Sequence, residues 1–157
     1  MRAYGFEFSA PQALGTLNST GVVSTGVWDL ENSSSGVSMR QTDMMIHGWV
    51  NFIILSTTSN VTGTGTNFRI TLVSSSSAAL TGTLKYLGGT ELLIPQIITG
   101  FRGSFGVHQH TVEQYLGVWY KAATSLTGAT SIECWFSEHP EQSPDDSSQK
   151  RPNTAFG

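Results

Sequence analysis

His108 and His110, the ends of a His-Gln-His triplet, are the pair in this chain whose types and spacing suit metal chemistry. On a strand, residues i and i+2 project to one face, so both imidazoles can reach one ion. Two ligands do not close a site, however, so a metal here would need the same pair from other copies of the chain. The plainer reading of His108 and His110 is a solvent-facing or subunit-facing strand surface, with no metal and no cofactor. Acid/base catalysis asks for paired carboxylates, or for a nucleophile with a base and an orienting group. The acidic residues between Phe6 and Phe136 are Glu7, Asp29, Glu31, Asp43, Glu91, Glu113 and Glu133, and they stand singly. Gly-x-Ser-x-Gly, a P-loop and a Gly-x-Gly-x-x-Gly ahead of a helix are all missing from the sequence. The expectation is a protein with no catalytic residue, and an enzyme on this chain would rest on His108 and His110 alone.

Aromatic faces stack on sugar rings, which makes Trp28, Trp49, Trp119 and Trp135, with Tyr115 and Tyr120, a candidate carbohydrate platform. Each also falls within an expected strand, where large aromatics fill a core or a subunit interface. Trp49 and Trp119 lie opposite the clearer apolar stripes of their strands and are read as interface residues. Phe156, an isolated aromatic near the C-terminus, is read as an anchor. His47 and His139 show no partner along the sequence and receive no role.

These residues must be positioned by strands. Charged residues are only 12% of the chain, about half the roughly 25% of an ordinary globular domain, while 39 of the 157 residues are Ser or Thr and 17 are Gly. Thr suits a pleated surface and Gly suits tight turns, so the bias predicts an all-β domain. A surface covered by uncharged hydroxyls meets a neighbouring subunit at little desolvation cost, which favours assembly. The net charge of −3 without a basic run argues against nucleic acid or anionic lipid as partner. Cys134 stands alone, excluding an intrachain disulfide and a Cys-based zinc site. Neither a signal-type apolar stretch in the first fifteen residues nor a run long enough to span a membrane is visible, so no membrane is expected.

Along the chain, residues 1–20 read as an N-terminal arm with one short strand, 21–136 as the β-sandwich domain, and 137–157 as a polar C-terminal tail holding three of the five prolines. Strands are expected at 22–30, twice within 37–55, at 67–73, 78–86, 92–99, 101–110, 112–120 and 131–136, with a turn over 56–66. In the strand ending at Leu55, Ile46, Val50, Phe52 and Ile54 share one face and His47, Trp49, Asn51 and Ile53 the other. The alternation Phe68, Ile70, Leu72 is the clearest strand signal. Gly88-Gly89 reads as a hairpin turn and Pro95 as an edge or bulge. Strands at this spacing predict a jelly-roll-like antiparallel β-sandwich of about eight strands with extended N- and C-terminal arms.

The span Met39–Ser75, MRQTDMMIHGWVNFIILSTTSNVTGTGTNFRITLVSS, resembles a theme of jelly-roll domains in bacteriophage virion proteins, among them tail-fibre, head-fibre and decoration modules. Gly48 stands for the glycine inside the long strand, Gly63 and Gly65 for the loop, and Phe68, Ile70 and Leu72 for the closing strand. The opening Tyr-x-(Arg/Lys)-x-Gly is reduced to Met39-Arg40 without its glycine, and the closing Leu-Pro is Leu72-Val73. The resemblance covers under a quarter of the chain. It implies a structural virion protein on the capsid surface, a decoration or cement protein that forms a homotrimer and clamps the major capsid protein or other virion proteins. The second role it implies is a tail-fibre or head-fibre module recognising host glycan. In fibres of that kind, His-x-His strands around a threefold axis hold iron, the role His108 and His110 would then take.

If the tail is a clamp, deleting residues 137–157 should leave the domain folded by circular dichroism while lowering its occupancy on particles, measured by gel densitometry.

Overall fold

A computed structural model describes residues 7–30, 46–62, 67–109, 112–123, 125–137 and 140. It contains nine strands: β1 (Glu7–Ala13), β2 (Val22–Val23), β3 (Trp28–Asp29), β4 (Ile46–Thr62), β5 (Phe68–Ser75), β6 (Leu84–Leu92), β7 (Arg102–Gln109), β8 (Tyr115–Ala122) and β9 (Thr127–Ser137). All strand pairings are antiparallel. One sheet runs β1-β9-β4-β7, the other β2-β8-β5-β6, with β3 also on β8. Because β2 and β3 pair with successive parts of β8, Val22 with Tyr120 and Trp28 with Leu116, they act as one interrupted strand. Eight strands then nest, first with last (β1 with β9), second with seventh, third with sixth and fourth with fifth. That nesting is the jelly roll, so the expected all-β sandwich is the fold.

Alternation explains which side chains meet between the sheets. Val50, Phe52 and Ile54 of β4, with Ile132 and Cys134 of β9, face Phe68, Ile70 and Leu72 of β5 and Leu116, Val118 and Tyr120 of β8, all buried in one cluster. Glycine makes room where rings press closely: a Cβ on Gly48 would sit 2.5 Å from the Phe136 ring, and one on Gly103 would meet the Phe52 ring.

Both open edges of the sandwich are tied. On one, the Gly26 amide donates to the Phe8 carbonyl oxygen at 2.6 Å, bringing the β2–β3 connection against β1. On the other, β6 approaches β7 so closely that a Cβ on Gly88 would lie 3.2 Å from the Gly106 carbonyl oxygen.

Several expectations need correction. Gly88 and Gly89 are not a turn but lie inside β6, opposite Leu72 and Thr71. Close approach explains both, since a Cβ on Gly89 would stand 2.8 Å from the Ile70 carbonyl oxygen. The chain reverses instead between β5 and β6, where Leu80 (φ 52°) and Gly82 (φ 81°) take left-handed conformations. Leu80 folds back, fully buried, onto the outward side of Gly117, away from the main core. The expected turn at 56–66 begins later, because β4 continues through Thr62 with Ser56 opposite Ser131 and Thr62 opposite Thr127. Hydroxyl residues here pair as strand, as β-branched Thr readily does. Pro95 belongs to a 3-10 turn, Ile94–Gln96, in place of the strand expected at 92–99. Residues 37–45 of the span expected to hold two strands, Met39-Arg40 among them, lie outside the described residues, as do Gly63 and Gly65.

The Gly26→Ala substitution tests the edge clasp. Its Cβ would stand 2.7 Å from the Glu7 carbonyl oxygen and 2.9 Å from that of Phe8, both backbone atoms. A loss of about 1–3 kcal/mol is expected, lowering Tm by roughly 2–10 °C in a thermal melt.

Candidate functional site

The ionisable groups described in the structure do not converge. Arg69 pairs with Glu91, and the Lys85 ammonium lies 2.7 Å from the Glu113 carboxylate. Asp29 accepts a hydrogen bond from Gln114 at 3.1 Å. Glu7 is exposed at one end of β1, whereas Glu133 is buried on the opposite sheet face from the core. Among the described residues no group of three or more His, Cys, Asp and Glu is placed to hold a metal ion. Also among them, no helix is long and apolar enough to cross a membrane.

His108 is exposed on β7, the outermost strand of its sheet. His110, Phe156 and the tail beyond Pro140 lie outside the described residues. The register adds what spacing along the chain hides: His47 on β4 is the Cα partner of His108. Sixty residues of intervening sequence carry no signal of that pairing; only knowing which strands neighbour each other would have found it.

The two tryptophans read as interface residues lie on opposite outer faces of the sandwich, both half-buried. Trp49, on the four-stranded sheet, lies over the bare backbone of Gly106, its ring 3.7 Å from where a Cβ would be. Beside it, the Asn51 amide donates to the Ser137 hydroxyl at 2.7 Å. Trp119, on the five-stranded sheet, carries the Lys121 ammonium 3.6 Å above its ring, a cation–π contact. Burial there holds Lys121 below the usual lysine pKa. The Trp119 indole N–H is buried without a hydrogen-bond partner among the described residues, so packing and the cation fix its seat.

The six-membered aromatic platform does not assemble. Trp28 stacks on Phe8 at 4.5 Å and meets Phe136 edge-on, closing the end of the core. Trp135 and Tyr120 are buried. Tyr120 instead anchors a buried polar chain. Its hydroxyl lies 2.7 Å from that of Ser9, which donates to the Gln12 side-chain oxygen at 2.6 Å. Gln12 then donates to the Val23 carbonyl oxygen and accepts from the Thr25 amide, at 2.8 and 3.0 Å. Burial raises the Tyr120 pKa well above its ordinary value and pushes the neighbouring Cys134 thiol up to about 12. Both groups are therefore neutral core members, unlike a nucleophilic thiol, whose pKa is depressed.

No protein-family model matches the chain, and no curated protein matches it significantly.

A raised Cys134 pKa links stability to pH. The unfolded thiol ionises near 9 and the folded one near 12, so the contribution is complete below pH 9 and is lost as pH rises toward 12. Chemical denaturation across that range should show declining stability, with a shallower decline in Cys134→Ala. The native thiol should also resist an aromatic disulfide reagent at pH 8 until the protein is unfolded.

Proposed function

We propose that this protein is a structural component of a bacteriophage virion, a decoration or cement protein that binds the assembled capsid and stabilises it. The observation that carries the reading is the placement of Trp49 and Trp119 on opposite outer faces of a charge-poor jelly roll. A closed ring of identical subunits uses heterologous contacts, in which two different patches of each subunit meet. Two large aromatics on two different faces suit such a ring, and a homotrimer is its smallest form. The ionisable groups, spread over both sheets, agree with a role that requires no transition state.

Shell stabilisation then follows from mass action. A ligand that binds the assembled shell and not its separated subunits contributes about 2.7 kcal/mol per site at a free concentration of 100 Kd. Wide Ser/Thr surfaces favour such binding because little charge has to be desolvated.

Native mass spectrometry of the isolated chain should give a trimer. Adding it to shells stripped of decoration should raise their temperature of rupture and saturate at hundreds of copies per particle. A monomer that fails to bind such shells would sink the proposal, and saturation at a dozen or so copies would move it to a fibre.

A further inference from the structure

The two ends of the sandwich differ in charge. One end gathers the connections β1–β2, β4–β5, β6–β7 and β8–β9. The stretches that supply it, residues 13–23, 54–68, 92–101 and 122–132, contain no Asp, Glu, Lys, Arg or His. Charge begins one step inside, on both sheets. Lys121, Arg69 and Glu91 stand in register across β8, β5 and β6, while Arg102 and Glu133 flank Ile53 across β7, β4 and β9. Beyond that margin the β6–β7 connection leaves Leu93 and Ile98 in solvent, each 55% exposed. Among the described residues, only Tyr86 is a more exposed large hydrophobic side chain. The connection is well braced. The Gln96 amide donates to the Leu93 carbonyl oxygen and the Leu93 amide to the Gln96 side-chain oxygen, both at 2.8 Å. Ile97 is buried in the core, and the Gly100 amide donates to the Ile54 carbonyl oxygen at 2.7 Å, tying the connection to β4. Little ordering is left to be done when such a loop binds, so its two aliphatic side chains are preorganised.

We propose that this end is a foot, with Leu93 and Ile98 entering an apolar, uncharged depression on another protein. The inference rests on the shell-binding reading above and names the surface that performs it, so the partner is a subunit of the assembled shell. The foot has the anatomy of an interface: an apolar centre depleted of charge, with charged groups set back at its margin. It selects a partner patch that is likewise uncharged, because a Lys or Glu facing Leu93 and Ile98 would be desolvated without a counter-charge. A lipid surface fits less well. Loops that enter membranes join apolar residues to Lys, Arg or interfacial Trp and Tyr, and residues 92–101 contain none of these. Cover by the chain itself also fits less well, because the described strands lead toward residues 31–45 and 138–157 at the opposite end, where Asp29 pairs with Tyr115 and Ser137 with Trp49. Closed rotational symmetry sets every copy's foot at one level, so a ring would present its contacts to a shell together and bind with avidity.

The test is co-sedimentation of the intact protein with shells stripped of decoration, for wild type, Leu93→Ser, Ile98→Ser and the double substitution. Burying the exposed half of either side chain corresponds to about three- to tenfold in Kd, so each single variant should weaken binding by that factor and the pair by more. Tyr86→Ser removes an exposed apolar group near the opposite end of β6 and should leave Kd within about twofold. Tm should stay within roughly 3 °C of wild type throughout. Should a serine variant fall outside that range, Leu93→Ala or Ile98→Ala takes its place. The ratio of double-variant to wild-type Kd should not fall between about 0.1 and 1 M salt, over which screening shortens from roughly 10 to 3 Å, since no charge enters the contact. Wild type that fails to bind shells overturns the shell-binding reading and this inference with it. Double variant that binds as tightly as wild type, or a ratio that collapses with salt, overturns the foot alone. The foot also falls if the substitutions alter only the oligomeric mass of the isolated chain, which makes this end a contact between copies. It falls equally if they abolish flotation with vesicles of phosphatidylcholine and phosphatidylserine while shell binding persists.

Discussion

A buried hydroxyl joins the two sheets of this protein. Tyr120 rises from the middle of the five-stranded sheet and can leave its oxygen in the apolar interior only because Ser9 of the facing sheet receives it. An unmet hydroxyl there would cost about 1–3 kcal/mol, so β1 must run where Ser9 can meet it. Gln12, one turn of the pleat further on, passes the connection to the backbone of the β2 segment. The position of the first strand, the closure of one sandwich edge and the setting of Cys134 all follow from that polar chain. The opposite edge is closed by different means, through bare backbone at Gly88 and Gly106.

The parts of this architecture that rest on period-two alternation were legible in the sequence. Phe68, Ile70 and Leu72 point inward as their spacing implies, and so do Val50, Phe52 and Ile54. What alternation does not reveal is which backbone a residue will approach. Gly88-Gly89 has the composition of a turn, yet it answers to Gly106 and Ile70, strands away in sequence. Ser56 to Thr62 has the composition of a loop, yet it becomes strand because β9 offers it a partner. Leu80 falls inside the strand expected at 78–86, yet β6 begins only at Leu84 and Leu80 instead caps Gly117 from outside. The candidate site divides in the same way: residue types flagged Trp119 and His108, whereas the uncharged end bearing Leu93 and Ile98 and the His47–His108 register are products of strand order, which no local pattern encodes.

The two outer faces are chemically distinct, and this gives the sandwich a polarity. One carries Trp49 over Gly106, flanked by the buried Asn51 amide. The other carries a cation seated on Trp119 and an ion pair beside a small polar hollow. Two unlike faces are what a heterologous contact joins, so this difference is what the inferred ring would use.

Nested pairing also governs when the protein can acquire its shape. The last strand, β9, lies between β1 and β4, so the four-stranded sheet has a gap at its centre until the final third of the domain has left the ribosome. At 5–20 residues per second, β1 waits roughly 6–25 seconds with its edge unsatisfied. Contacts so distant along the chain close slowly, and a nascent strand edge is an invitation to aggregate. The scarcity of long apolar runs and the abundance of hydroxyls then acquire a second meaning: they keep the unfinished chain soluble while it waits for its own end.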